Sequence, residues 1–130
     1  MNGNIKISFI SEKNELEYIN ELLSVKATKI VCQGDKVTAK RISQKNIWIY
    51  SVKFNSTNYN DEIKKFIKIF IKEIDKIRQI QKENTAIITL QIRSEFGQIG
   101  LCLDKSVLSM FSDLGLDLEV DILSFGAVKE

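Results

Sequence analysis

The stretch that most constrains the fold is residues 61–83, which read DEIKKFIKIFIKEIDKIRQIQKE. Its apolar residues recur at three- and four-residue steps, which is the period of a helix with one apolar face. They are Ile63, Phe66, Ile67, Phe70, Ile71, Ile74 and Ile77, and Lys65, Lys68, Lys72 and Lys76 fall on the opposite side. A helix of about six turns with such a stripe needs a sheet or other helices to cover it. The sequence therefore predicts one long central helix packed on a sheet.

Strands are predicted on both sides of this helix from the alternation of apolar and polar residues. They cover residues 4–11, 36–41, 46–54, 85–94, 98–103 and 116–124. On the strand at 46–54, Trp48, Tyr50, Val52 and Phe54 share a face that is expected to pack under the central helix. Residues 85–103 are predicted to form a hairpin because Gly97 permits a tight connection. A first helix is expected to end near Ser24, and a third should run from Asp104 to Leu114, with Gly115 ending it.

These elements predict the order β-α-β-β-α-β-β-α-β. The fold class is α+β, with a single sheet of about six strands and three helices, the long central one packed on the sheet. At 130 residues, the chain is expected to be one α+β domain over residues 1–130. No signal peptide is recognised and no apolar run approaches the length of a membrane span, so we expect a cytoplasmic protein without membrane contact.

Composition argues against enzymatic chemistry. The chain contains no histidine, which removes the commonest general base and the commonest metal ligand. Cys32 and Cys102 lie far apart without a CxxC partner, and no histidine can activate them, so we expect buried free thiols. We therefore expect no enzymatic activity, no cofactor and no metal site.

Charge is unevenly distributed along the chain. Residues 1–83 contain 16 Lys and Arg against 10 Asp and Glu, whereas residues 84–130 contain 3 against 7. The difference fits either two surfaces for partners or a lysine-rich composition without a binding role. In the first part, Lys36, Lys40 and Arg41 belong to a basic loop, residues 26–45. That loop has no aromatic residue for base stacking and no known nucleic-acid motif, so it is expected to contact a partner or to be simply solvated.

In the acidic part, Asp117, Glu119 and Asp121 alternate with apolar residues on the last predicted strand. One face of a strand would hold their carboxylates roughly 7 Å apart. Such a row suits an outward polar face whose charges discourage edge pairing, a contact with a basic partner, or a hard cation.

The same region carries a family pattern. It consists of Gly100-Leu101-Cys102-Leu103, a helix, Leu114-Gly115-Leu116-Asp117-Leu118 and then Asp121. With this pattern, residues 86–125 resemble the C-terminal half of a bacterial family, the domain-of-unknown-function family numbered forty-two seventy-nine. The N-terminal half is more loosely similar, through Leu22-Leu23, Gly34-Asp35 and a strand carrying Trp48. The resemblance transfers no catalytic residue. Families of this size and kind resemble the single-domain immunity proteins that protect bacteria from secreted toxins.

Together these features predict a non-enzymatic bacterial protein that binds another protein. Its most specific form is an immunity protein that neutralises a cognate toxin. The expected contact residues are Asp117, Glu119 and Asp121, or Lys36, Lys40 and Arg41. The alternative is a nucleic-acid or phosphate-ligand binding module that uses the basic loop 26–45. The sequence specifies no oligomeric state.

Overall fold

A computed structural model describes residues 1–12, 16–97 and 100–127 of the chain. These residues form an α+β fold of seven strands and four helices. The strands are β1 (Asn2–Ser11), β2 (Lys29–Val31), β3 (Lys36–Thr38), β4 (Arg41–Ile42), β5 (Asn46–Asn55), β6 (Thr85–Phe96) and β7 (Asp117–Ala127). The helices are α1 (Tyr18–Leu22), α2 (Tyr59–Ile71), α3 (Ile74–Gln81) and α4 (Lys105–Leu114).

The architecture is a five-stranded mixed sheet with helices on one face. The strand order is β2-β5-β1-β6-β7, and β3 and β4 form a separate two-stranded sheet. β1 pairs antiparallel with β5 and β6, and β2 pairs antiparallel with β5. β7 runs parallel to β6. β2 and β7 are therefore the two edge strands of the main sheet, at opposite ends of the strand order.

The core lies between the helices and one face of the sheet, which we call the inner face. Ile7 of β1 is fully buried and lies between Tyr50 of β5 and Ile88 of β6. The ring of Tyr50 packs on Phe66 and Phe70 of α2, with centroids 5.9 and 5.7 Å apart. The prediction that the aromatic face of this strand packs under the central helix is confirmed.

The predicted central helix is correct in its buried face and wrong in its continuity. α2 ends at Ile71 and α3 begins at Ile74, with a turn between them. Glu73 leaves the helical conformation, with φ −118° and ψ 27°, and its carboxylate accepts hydrogen bonds from Ser24. The break therefore coincides with a contact to a distant loop. Most of the predicted stripe is still buried on both pieces, at Ile63, Phe66, Ile67, Phe70 and Ile77.

The predicted hairpin over residues 85–103 is not found in the described residues, and residues 98 and 99 of its second strand lie outside them. β6 pairs with β1 and β7, and residues 100–104 are not a strand. Side chains of α2 satisfy their backbone instead. The N–H of Cys102 donates to the hydroxyl of Tyr59 at 3.2 Å, and Asn60 Nδ2 donates to the carbonyl of Cys102 at 2.9 Å. The segment leads into α4, which supplies the crossover that a parallel β6–β7 pair requires.

The count of sheets and helices also differs from the prediction. The described residues contain two sheets and four helices, rather than one sheet with three helices. The predicted strand at 36–41 is a hairpin whose two strands are β3 and β4. At its turn, the Lys40 N–H donates to Thr38 Oγ1 at 3.4 Å, a local bond that competes with extended backbone. The end of α4 is as predicted, with Gly115 in the left-handed conformation at φ 68°.

Candidate functional site

The face of the sheet away from the helices, which we call the outer face, lies outside the core. Every residue of the sheet that belongs to the core cluster or packs against it points to the inner face. On the outer face, Ile10, Ile47, Ile49 and Ile87 are half-buried, Leu123 is exposed, and Val31 at the β2 edge is buried. The main sheet therefore presents a face that no described helix covers.

The three predicted acidic residues lie on this outer face, at its β7 edge. In register, Asp117 lies beside Ile87, Glu119 beside Thr89, and Asp121 beside Gln91 of β6. All three carboxylates are exposed. We call Asp117, Glu119 and Asp121 the acidic row. The structure brings these three residues together because side chains of a strand alternate between its faces.

The inner face of β7 is unusual for its exposure. Leu118 packs against the core, but Val120 and Ile122 do not belong to it. Their side chains are 47% and 60% exposed. The helix layer therefore stops before the end of this strand and leaves apolar side chains uncovered beside the acidic row.

The predicted basic residues lie on the hairpin formed by β3, β4 and the turn between them, residues 36–42, which we call the basic hairpin. Lys36, Lys40 and Arg41 are all exposed there. Val37 and Ile42 lie among them and are 55% and 53% exposed. The hairpin thus combines positive charge with uncovered apolar surface.

The base of the basic hairpin is firmly bonded. The Gly34 N–H donates to the Ser43 carbonyl at 2.9 Å, and the Ser43 N–H donates to the Asp35 carbonyl at 2.8 Å. The Asp35 carboxylate accepts the Cys32 N–H at 2.8 Å. Gly34 adopts φ 94°, which a residue with a side chain rarely does. These bonds close the base of the hairpin, between the end of β2 and the start of β5.

The acidic row and the basic hairpin are separate surfaces. The hairpin follows β2, which is the edge strand opposite β7. Four strand spacings of about 4.8 Å place these edges roughly 19 Å apart. The structure therefore brings together the residues within each predicted surface, but it does not join the two surfaces into one site.

Three lysines of the helix layer pair with acidic residues at the surface. Lys65 lies 3.4 Å from Glu62, Lys76 lies 3.5 Å from Glu73, and a third ion pair at 3.1 Å joins Lys64 to Asp104. The pairs of Lys64 and Lys65 are well exposed to solvent and contribute little stability.

Glu73 is a residue whose role the sequence did not reveal. Its side chain is 10% exposed. Burial alone would raise the pKa of Glu73, but the hydrogen bonds from the Ser24 hydroxyl and backbone N–H, together with Lys76, outweigh burial and hold the pKa below its ordinary value. The contact spans 49 positions of the chain, so no local pattern announces it. Its role is to join the loop after α1 to the break between α2 and α3.

Groups suited to covalent or metal chemistry are dispersed. Cys32 and Cys102 are free and exposed, so the prediction that they are buried is wrong. Both lie in irregular segments, at the base of the basic hairpin and before α4, rather than in the core. Within residues 1–12, 16–97 and 100–127, no three His, Cys, Asp or Glu side chains are grouped so that they could hold a metal ion.

Two open clefts lie at opposite ends of the β1–β6 pair, with volumes of about 470 and 460 Å³. Both have largely polar walls, and neither includes the acidic row or the basic residues predicted to bind. The first is lined by Met1, Asn2, Arg93, Ser94, Glu95 and Phe96.

The fold and its surfaces define a small α+β protein with one helix layer and one bare sheet face. The family model described as "Domain of unknown function (DUF4279)" matches residues 2–125. The chain therefore belongs to this family, which confirms the resemblance seen in its sequence. No curated protein and no solved structure matches it significantly. No helix in the part of the chain that the structure describes is long and apolar enough to cross a membrane.

Proposed function

We propose that this protein is a non-enzymatic binding protein of the bacterial cytoplasm and that its ligand is another protein. The observation that carries the proposal is the uncovered edge of the sheet at β7. There, three exposed carboxylates lie on the outer face and two exposed apolar side chains, Val120 and Ile122, lie on the inner face. A contact that combines uncovered apolar surface with a charged rim is typical of protein interfaces.

The most specific form of this proposal is an immunity protein that occludes a cognate toxin. Two features support it: the family domain is of the size of the single-domain immunity proteins, an analogy of size and kind, and the acidic row is exposed. A toxin that cleaves nucleic acid needs a basic active-site cleft to hold phosphate groups. The acidic row of Asp117, Glu119 and Asp121 has the charge and the exposure to enter such a cleft.

The test is the affinity of this protein for the C-terminal domain encoded by the neighbouring gene. The variant D117N/E119Q/D121N removes the three charges of the acidic row. Loss of the acidic row is expected to weaken the complex at least about 100-fold, because truncating one partner of a buried interfacial charge pair costs about 2–5 kcal/mol. D61N/D75N/D113N is the matched control, because it removes three exposed acidic charges from the helices.

The control variant should bind like the unsubstituted protein. Equal affinity of all three proteins would refute the acidic row as the binding surface. If no complex forms although both proteins are folded, the immunity proposal itself fails.

The second candidate is a nucleic-acid or phosphate-ligand binding module that uses the basic loop 26–45. The basic hairpin favours it, because Lys36, Lys40 and Arg41 are all exposed on one small bonded unit. Binding to a single-stranded polynucleotide should then weaken steeply with salt, with a log–log slope of about −0.7 for each phosphate neutralised. K36Q/K40Q/R41Q should reduce both the affinity and this slope. No binding at low salt would eliminate this candidate.

A further inference from the structure

In the part of the chain that the structure describes, β7 is an edge strand of the main sheet. The strand has 11 residues, and its neighbour in the described sheet is β6. In a parallel pair, the backbone groups of alternate residues face the partner strand, and those of the other residues face away from it. The outward-facing N–H and C=O groups of β7 form half of a hydrogen-bond ladder that another strand can complete.

The two faces of this edge present different chemistry. On the outer face, the acidic row places a carboxylate at every second residue. On the inner face, Val120 and Ile122 alternate with those acids and remain uncovered. Proteins commonly protect a free edge by shortening it or by placing proline in it, whereas β7 is long and the chain contains no proline. The edge is protected against indiscriminate pairing chiefly by charge.

We propose that β7 binds its protein partner by strand addition, and that the added segment is an extended strand in which basic residues alternate with apolar residues. The inference rests on the proposed function and specifies the chemistry of the partner. Residues directly opposite across two strands have their Cβ atoms about 4.5–5.5 Å apart. Lysine or arginine side chains on one face of the segment would therefore meet the acidic row. Apolar side chains on its other face would cover Val120 and Ile122.

Charge complementarity disfavours a second copy of this chain as the occupant. If two β7 strands paired antiparallel about a two-fold axis, the acidic rows would lie opposite each other. Like charges directly opposite across a strand pair are destabilising. Basic side chains opposite the acidic row would instead attract its carboxylates, so the edge favours a partner of different composition.

The test uses three labelled synthetic peptides of nine residues with the same lysine and valine composition. In the first, lysine and valine alternate. In the second, they are separated into two blocks. The third has the alternating sequence with N-methyl groups at successive residues, which removes backbone donors from both edges. Binding to the full chain is followed by fluorescence anisotropy, and protection of β7 amides is followed by hydrogen exchange.

Strand addition predicts that the alternating peptide binds and protects β7 amides from exchange. The other two peptides should bind at least about tenfold more weakly, a difference of one decade in Kd. D117N/E119Q/D121N should weaken binding of the alternating peptide by a similar factor, while D61N/D75N/D113N leaves it unchanged. Because the acidic row is exposed, its removal is expected to leave the fold intact, which a melting curve checks.

Three results with the peptides would overturn strand addition. They are equal binding of the three peptides, no binding of the alternating peptide at about 1 mM, and a complex in which β7 amides exchange as fast as in the free protein. A dimer whose formation protects β7 would overturn it as well. If the complex with the neighbouring gene's product still forms and still depends on the acidic row, the proposed function stands without strand addition. If that complex never forms, the proposed function has failed, whatever the peptides do.

Discussion

Replacing Glu73 by alanine is expected to lower the free energy of unfolding by about 2–4 kcal/mol. The backbone N–H of Ser24 donates to Glu73 Oε1 at 2.9 Å, the Ser24 hydroxyl donates to the same oxygen, and Lys76 Nζ lies 3.5 Å from Oε2. Hydrogen bonds to charged groups contribute about 1.5–3 kcal/mol each, and bonds that share one carboxylate do not add fully. E73Q keeps an acceptor oxygen and removes only the charge, so it should cost about 1–2 kcal/mol.

The stability difference should depend on pH with a defined sign. Burial alone would raise the pKa of Glu73, but the hydrogen bonds from Ser24 and the charge of Lys76 outweigh it, so the pKa lies below its ordinary value of 4.5. A lowered pKa means that the folded protein favours the ionised carboxylate. Its contribution to stability is therefore complete above about pH 4.5 and is lost as the pH falls through the lower folded-state pKa. The difference between the unsubstituted protein and E73Q should shrink in acid.

Urea unfolding measures both effects. Trp48 is the single tryptophan and is fully buried, so its fluorescence reports the loss of the core. D75N serves as the control because Asp75 is an exposed acid of the adjacent helix, and it should shift the free energy of unfolding by at most about 0.5 kcal/mol. The reasoning is refuted if E73A lies within about 0.5 kcal/mol of the unsubstituted protein at neutral pH. It is also refuted if the cost of E73Q is the same in acid as at neutral pH.

Three further predictions concern the core, a helix end and the thiols. Phe66→Ala should cost about 3–5 kcal/mol in urea unfolding, because the ring is 1% exposed and packs against two other rings; a cost below about 1 kcal/mol would contradict this packing. Gly115→Ala should cost about 1–2 kcal/mol, because φ is 68° and the added Cβ would lie 2.5 Å from an arginine nitrogen. As a control, Gly100→Ala meets nothing within 4 Å and should leave the free energy of unfolding unchanged. Equal costs of the two substitutions would contradict this prediction. Cys32 and Cys102 should both react with a thiol reagent in the folded protein because they are exposed, so mass spectrometry that finds label only after unfolding would contradict their placement.

The parts of the fold that depend on local periodicity could be predicted from the sequence. The apolar stripe of the central helix, the aromatic face that carries Trp48 and the alternation of the acidic row follow from periods of 3.6 and 2 residues. Each is found in the structure. Gly115 ended its helix as expected because a left-handed residue at that position favours glycine.

Features set by distant contacts could not be predicted in this way. The break at Glu73 coincides with a bond to Ser24, 49 positions away. The hairpin error arose because Gly97 permits a turn, while the backbone that follows is bonded to Tyr59 and Asn60 of α2.

The candidate site shows the same division between local and distant determinants. The sequence placed Asp117, Glu119 and Asp121 on one face of a strand. Their position at an edge of the sheet depends on the strand order, in which β7 lies beside β6 at one end. The sequence also gave no indication that Val120 and Ile122 would remain uncovered, because their alternation is that of ordinary inward-facing residues.

The most direct test of the central claim is a growth measurement. The C-terminal domain encoded by the neighbouring gene is expressed in a test bacterium, alone and together with this protein or its D117N/E119Q/D121N variant. The immunity function predicts that growth stops with the domain alone, is restored by the unsubstituted protein and is not restored by the variant, with all proteins soluble. A harmless domain, or rescue that fails with the unsubstituted protein, would contradict the immunity function. Equal rescue by the variant would contradict the role of the acidic row.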